Sequence, residues 1–241
     1  MGFYDEISKY YDYIFPIDKE EVNFLSHMSG DPPKHLLDIA CGTGGYSLEL
    51  IKLGYKVTAV DLDQKMVEEL KKKAGNMNID IKALQGNMLE IDKKIQDKFD
   101  LAFCIGNSLV HLDGEIEIGM FLKEVKGMLK EDGSLVIQII NYDRILKNKV
   151  SFLPTIKNAE RGLEFSRTYR CDNEENKIFF KTVLKVDGEI IENEIALYPI
   201  LSDSLVYLVH KAGFKNINLY GDLEGGKFNK NSSYVLVLSA S

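Results

Sequence analysis

Short apolar runs alternate along this chain with longer stretches whose apolar positions recur every three or four residues. Leu36, Leu37 and Ile39 predict a buried strand that turns through Gly42, Gly44 and Gly45 into a short helix with Leu48, Ile51 and Leu53 as its apolar face. Gly54 ends that helix, and KVTAVD (56–61) predicts a second strand. A helix from Gln64 to about Ala74 follows, apolar at Met66, Val67, Leu70 and Ala74. Its Glu68–Lys72 and Glu69–Lys73 pairs have the favourable i, i+4 order of a solvated face. IKALQGN (81–87) and FDLAFCI (99–105) predict the third and fourth strands. Positions 118, 121, 122, 125, 128 and 129 mark a helix over 115–130, and Glu131-Asp132-Gly133 turns into a fifth strand, 134–142. Upstream, residues 3–28 read as helical and crowded with aromatics. Asp31-Pro32-Pro33 closes that region, because a residue before proline is biased out of the helical basin.

Strands alternating with amphipathic helices imply a parallel sheet covered on both faces. Beyond residue 150 the pattern changes: 163–170, 177–186 and 190–197 are strand-like and joined by short polar turns, the second being Asp187-Gly188. That is an antiparallel meander inserted into an α/β domain. The α/β pattern resumes with a helix from Ser202 to about Ala212, stopped by Gly213, and two last strands, 216–221 and 233–240. The expected division is a main domain of residues 1–145 and 200–241 around an insert at 146–199. The chain holds no internal repeat or low-complexity tract.

With 241 residues, 45% apolar and 28% charged, the chain has the composition of a soluble globular protein with a sizeable core. Its apolar runs are strand-sized, which predicts no membrane span, and its first residues lack a basic stretch before an apolar one, so no secretory signal is expected. Cys41, Cys104 and Cys171 are odd in number and widely spaced, which suits a reducing cytoplasm and gives no metal-ligand spacing. A net charge of −7 argues against broad nucleic-acid binding. Residues 144–185 nevertheless hold ten Lys/Arg against five Asp/Glu, either a solvated face or a preference for an anionic substrate.

A strand running through a glycine turn into a helix N-terminus presents free N–H groups to a ligand above the carboxyl ends of the strands. The polar groups expected there are few. Asp61 ends strand two, where an acid can accept from the two hydroxyls of a ribose; the alternative is a helix cap, for which Asp63 is better placed. A dinucleotide turn wants a third glycine where this chain has Ser47, and Asp38 would repel a pyrophosphate. An acid at that place suits a ligand carrying an amino group. Ribose plus ammonium without a diphosphate describes S-adenosylmethionine.

DIACGTGG (38–45), AVDLD (59–63), QGNM (85–88) and FDLAFCIGNS (99–108) together resemble the class I S-adenosylmethionine-dependent methyltransferases. The resemblance covers about residues 4–142 and the last two strands. It implies a Rossmann-like α/β fold, a seven-stranded mostly parallel sheet with helices on both faces, and the inserted meander as a substrate cap. By this resemblance Ala40, Gly42 and Gly44 bring the backbone to the methionine moiety, Asp38 orients it, and Asp61 holds the ribose. Leu62 packs on the adenine, which Met88 binds through its backbone; Asn87 stands where the family often has Asp, and Ile105 belongs to the same site. Tyr4-Asp5-x-x-Ser8-x-x-Tyr11-Asp12 is similar to the segment that caps the cofactor in this superfamily, and it implies Tyr11 beside the sulfonium or the methionine carboxylate.

Two segments, CIGNSLVHL (104–112) and INYDRIL (140–146), look like the glycine and sarcosine N-methyltransferase branch. There Asn107 would contact the acceptor. Where the branch carries a carboxylate-binding arginine this chain has Ile140, which offers no such fork. Arg144 lies one helical turn on and Tyr142 lies between them; both join Asn107 as candidates for the acceptor site. His111 is a candidate base or a satisfied polar group at the start of a helix, and no catalytic residue is assigned. Two further motifs are decoys. Gly221 to Lys227 imitates a phosphate loop but is followed by Phe228 and a strand, and Tyr207-x-x-x-Lys211 lacks a matching dinucleotide turn. The expected activity is methyl transfer from S-adenosylmethionine to N or O of a small-molecule acceptor by in-line displacement. The alternatives are an inactive member that binds cofactor or a partner, and a nicotinamide-dependent oxidoreductase.

Overall fold

The computed structural model describes residues 7–172 and 174–241. Seven strands, β1 (His35–Ile39), β2 (Lys56–Asp61), β3 (Lys82–Gln85), β4 (Phe99–Cys104), β5 (Leu129–Ile140), β10 (Asn218–Tyr220) and β11 (Val235–Ala240), form one sheet in the order β10-β11-β5-β4-β1-β2-β3. The five from β1 to β5 are parallel, while β11 runs antiparallel to β5 and to β10. Strands β6 (Phe152–Asn158), β7 (Leu163–Asp172), β8 (Lys177–Val186) and β9 (Glu189–Leu197) form a separate antiparallel sheet in chain order.

Alternation along the central strands sends successive side chains to opposite faces. Leu37, Ile39, Ala102, Cys104 and Ile137 pack under α5 (Glu115–Met128) and α7 (Ser202–Lys211). Leu36, Leu101, Phe103, Val136 and Val237 pack under α2 (Lys19–Ser29), which follows the single turn α1 (Tyr11–Ile14), and under Leu50 of α3 (Gly45–Lys52). Met66, Val67, Leu70 and Ala74 are the buried residues of α4 (Gln64–Asn76), whose first turn is capped by the Asp63 carboxylate. Asn141 caps α6 (Tyr142–Lys147), and its Nδ2 also donates to the carbonyls of Lys230 and Ser233, tying the start of β11 to the end of β5.

The structure corrects several expected elements. Leu53 is 47% exposed just beyond α3, whose buried positions are Ser47, Leu48 and Leu50. Lys73 pairs with Asp12 rather than Glu69, which pairs with Lys72. The helix expected to reach residue 130 ends at Met128, and β5 already begins at Leu129, opposite Phe99. Residues 130–133 form an irregularity within β5, where a Cβ on Gly133 would lie 2.8 Å from the Phe99 carbonyl. The meander has a fourth strand, β6, unseen in the sequence because Pro154 interrupts it; β6 lies at the sheet edge, where proline is tolerated. The helical reading of 3–28 holds in pieces, α1 and α2, separated at Pro16; Phe3, Tyr4 and Asp5 lie outside the described residues.

Candidate active site

The glycine turn is held by backbone as much as by side chains. Ala40 takes φ +58 at the end of β1, a strained conformation for a residue with a Cβ, and Cys41 N–H then donates to the Val60 carbonyl at 3.1 Å. Gly42 N–H donates to Asp61 Oδ2 at 2.7 Å and Asp63 N–H to Asp61 Oδ1 at 2.9 Å. One carboxylate therefore fixes both the turn after β1 and the turn after β2. Gly44, at φ +74, has no room for a side chain, because a Cβ would come within 2.1 Å of Leu70 Cδ1.

Asp38 is 2% exposed and its Oδ2 accepts from Ser47 Oγ at 2.6 Å. Burial pushes its carboxyl up to about 7, against the Ser47 hydrogen bond. Asp61 is also pushed up by burial, opposed by backbone N–H groups of Asp63, Gly42 and Leu62. Burial lowers His111, so its ring is neutral around pH 7.

Two cavities open over this turn. One of about 510 Å³ is bounded by Asp61, Leu62, Asn87 and Met88 along the ends of β2 and β3, with Gly42 at its floor. The other, of about 460 Å³, is bounded by Asp38, Ile105 and Asn107 on one side and by the antiparallel sheet on the other. Tyr11, Ala40, Gly106 and His111 belong to the walls of both. Leu62 is 66% exposed at the wall of the first cavity.

Of the residues singled out from sequence, three fall elsewhere. Gly44 lines neither cavity and packs on Leu70. Tyr142 is fully buried behind Asn107, whose Nδ2 donates to its hydroxyl at 3.1 Å. Arg144 stacks on the Tyr234 ring at 5.2 Å instead of reaching the cavity. Asn107 does line the second cavity, but its Oδ1 accepts from Ile140 N–H at 2.9 Å, so part of its amide is spent on the fold. Sequence reasoning missed Gln138, whose Oε1 accepts from Gly106 N–H at 2.6 Å and shapes the turn between the cavities. A glutamine inside the apolar run LVIQII was the available clue. It also missed the latch of the N-terminal segment: Asp12 Oδ1 accepts from Thr43 Oγ1 at 2.5 Å, and Asp12 pairs with Lys73 at 2.8 Å.

Residues 36–133 match a family described as a methyltransferase domain. A glycine/sarcosine N-methyltransferase of Aphanothece halophytica is 26% identical over 216 residues, covering 83% of this chain and 74% of that protein. The glycine N-methyltransferase of Rattus norvegicus is 37% identical over 122 residues, covering 46% of this chain and 42% of the rat enzyme, so here the chain matches less than half of its relative's length. Among solved structures, an S-adenosylmethionine-dependent methyltransferase of Clostridium acetobutylicum superposes with a TM-score of 0.83 at 18% identity, covering 100% of this chain and 99% of that one. The CcbJ methyltransferase of Streptomyces caelestis gives 0.82 at 20% identity, over 97% and 95%. The chain is an S-adenosylmethionine-dependent methyltransferase. Its sequence is similar to glycine/sarcosine N-methyltransferases, and S-adenosylmethionine is its cofactor.

Proposed function

We propose that this enzyme methylates a nitrogen of a small-molecule acceptor seated in the 460 Å³ cavity beneath the antiparallel sheet, with oxygen as the other candidate atom. The observation that carries the reading is the shared wall: the two cavities meet at Tyr11, Ala40, Gly106 and His111, as a donor site and an acceptor site must. In-line transfer is chiefly a matter of positioning and water exclusion, which two converging cavities supply.

The residues present fit the cofactor. Asp61 offers a carboxylate largely shielded from water at the wall of the 510 Å³ cavity, where it can accept from a ribose diol. Leu62 and Met88 would flank the adenine, with Asn87 at its edge, where the Asn87 Oδ1 already accepts from Leu89 N–H. Asp38, Ala40, Gly42 and Ile105 would surround the methionine moiety, and an ammonium there would favour the ionised form of the buried Asp38. The Tyr11 ring, against the Gly42 Cα, would face the sulfonium. When bound, S-adenosylmethionine supplies an electrophilic methyl group. The His111 ring, kept neutral by burial, lines both cavities and can accept a hydrogen bond from an amine that arrives already deprotonated.

In this reading, residues 1–145 and 200–241 bind the cofactor and 146–199 form the cap that chooses the acceptor. Three free cysteines fit a reducing, cytoplasmic setting. Among the described residues no helix is long and apolar enough to cross a membrane. Labelled-methyl turnover against a panel of small amines and hydroxy compounds tests the proposal. Transfer to an amine supports it; S-adenosylhomocysteine binding with no transfer to any small molecule would leave a binding protein instead.

A further inference from the structure

The cap strand β7 carries an arginine in a row of otherwise apolar inward positions. Residues 163, 165, 167 and 169 share one face of the strand; Leu163, Phe165 and Tyr169 are buried on it, and Arg167 stands between them at the cavity wall. A guanidinium in such a row is costly unless it meets a partner. Arg167 spends one donor on the Pro154 carbonyl at 2.8 Å, yet its Nε is buried with no hydrogen-bond partner. Arg144, beside it across Tyr234, repeats the feature: its Nε too is buried and unpartnered. These account for two of the three such side-chain atoms among the described residues. Neither guanidinium is paired with a carboxylate among the described residues, although the chain is acidic overall.

Two phenols complete the group. Tyr169 is within electrostatic reach of Tyr234, Arg167 and Arg144, and both tyrosine side chains line the acceptor cavity. Asn141 holds the Ser233 carbonyl and so anchors Tyr234 in place. The remaining wall near this cluster is apolar: Ile140, Leu153, Phe180 and Leu197. Six acids also line this cavity, Asp12, Asp18, Glu21, Asp38, Asp222 and Glu224, and among the described residues none is paired with either guanidinium: Asp38 accepts from Ser47, Asp12 from Thr43 and Lys73, Glu21 from Tyr46, and Asp18 and Asp222 from backbone N–H groups of their own turns.

We propose that Arg167, with Tyr169 and Tyr234, forms an oxyanion subsite of the acceptor cavity, backed by the charge of Arg144 from behind the Tyr234 ring, so that the acceptor joins an apolar body to an anionic group, a carboxylate or a phosphate. The inference rests on the cavity's assignment to the acceptor. A guanidinium and phenol set recognises an oxyanion by charge-assisted hydrogen bonds, and a neutral amide or alcohol of the same shape would leave those donors unmet.

The test uses ligands that cannot accept a methyl group, so that binding is read apart from turnover. With S-adenosylhomocysteine saturating, calorimetry compares 3-phenylpropanoate, 2-phenylethylphosphonate and 3-phenylpropanamide on the whole protein and on its Arg167→Gln and Arg144→Gln variants. The expected result is that one of the two anions binds at least tenfold more tightly than the amide, that Arg167→Gln removes this preference, and that Arg144→Gln reduces it. The anion that binds better identifies the group. Equal binding of anion and amide, no binding of any of the three, or a preference that survives both substitutions would overturn the subsite. S-adenosylhomocysteine is titrated first and alone. Its failure to bind the wild-type chain would count against the methyltransferase reading, whereas its undiminished binding to Arg167→Gln shows that variant to be folded.

Discussion

Asp38 and Asp61 end neighbouring strands of one sheet, yet their surroundings give them different tasks. Asp61 receives backbone N–H groups that hold its charge in place, whereas Asp38 is buried at the base of the 460 Å³ cavity with one hydroxyl donor. A carboxyl pushed up to about 7 makes folding depend on pH. Because the folded-state value lies above the unfolded one, the fold favours the protonated acid. Its contribution is complete below about pH 4 and is lost as pH rises through 7. The melting temperature of the cofactor-free wild type should therefore fall, relative to Asp38→Asn, between pH 5 and pH 8. A difference between the two proteins that stays flat across that range would refute it. For Asp61 the expected effect is on affinity: Asp61→Ala removes hydrogen bonds to a charged group worth about 1.5–3 kcal/mol each, so S-adenosylhomocysteine should bind at least ~10-fold more weakly by calorimetry. Both aspartates were legible in the sequence as chemistry. The Ser47 hydroxyl on Asp38 was not, since in the sequence Ser47 stands out only as the absence of a third glycine.

At the scale of elements, legibility followed locality. Strand β2 occupies the residues its apolar pattern predicts, and the four apolar positions expected of α4 are its four buried residues. These features depend on period alone. The misses depend on contacts distant in sequence. Pro154 reads as a strand breaker until β6 is seen at a sheet edge, and Gly133 reads as a turn until the Phe99 carbonyl is found against it. Arg167 was counted as one charge among many, because its inward direction emerges only from the register of β7 with β8. Gly44 is the plainest case of a glycine motif with two causes. Gly42 borders the 510 Å³ cavity, while Gly44 makes way for Leu70 on α4. Gly44→Ala should accordingly destabilise the fold by about 1–3 kcal/mol, from overpacking and from φ +74, and lower the thermal midpoint by several degrees in calorimetry. A Leu70→Ala background should reduce that loss, because the clashing methyls are gone. If it does not, backbone strain alone is responsible.

For the whole molecule, the question is how ligands reach two cavities that the N-terminal segment helps to enclose. That segment has two attachments of different kinds. Ile7, Tyr10 and Ile14 share an apolar cluster with Leu163, Phe165, Leu184 and Val186 of the antiparallel sheet, and the Phe15 and Phe165 rings meet edge-on at 5.8 Å. Its hold on the main domain at the glycine turn is the Tyr11 ring against Gly42 and a polar latch, Asp12 with Thr43 and Lys73, the Asp12 side chain being 50% exposed. An ion pair that wet contributes about 0–1 kcal/mol, far less than the buried apolar side chains on the other side. The antiparallel sheet, for its part, is fixed to the main core through Leu153, Tyr169, Ile178 and Leu197. Opening should therefore begin where Asp12 lets go of the turn, with the sheet staying in place. Asp12→Ala should leave the thermal midpoint nearly unchanged, yet weaken S-adenosylhomocysteine several-fold, chiefly through a faster dissociation rate. Hydrogen exchange read with and without that ligand should show its largest protection over residues 10–15, and in Asp12→Ala that protection should shrink while β7 and β8 exchange as before. Equal protection of the segment and the sheet would mean that the two move as one body, and that entry to both cavities is governed by the sheet rather than by the latch.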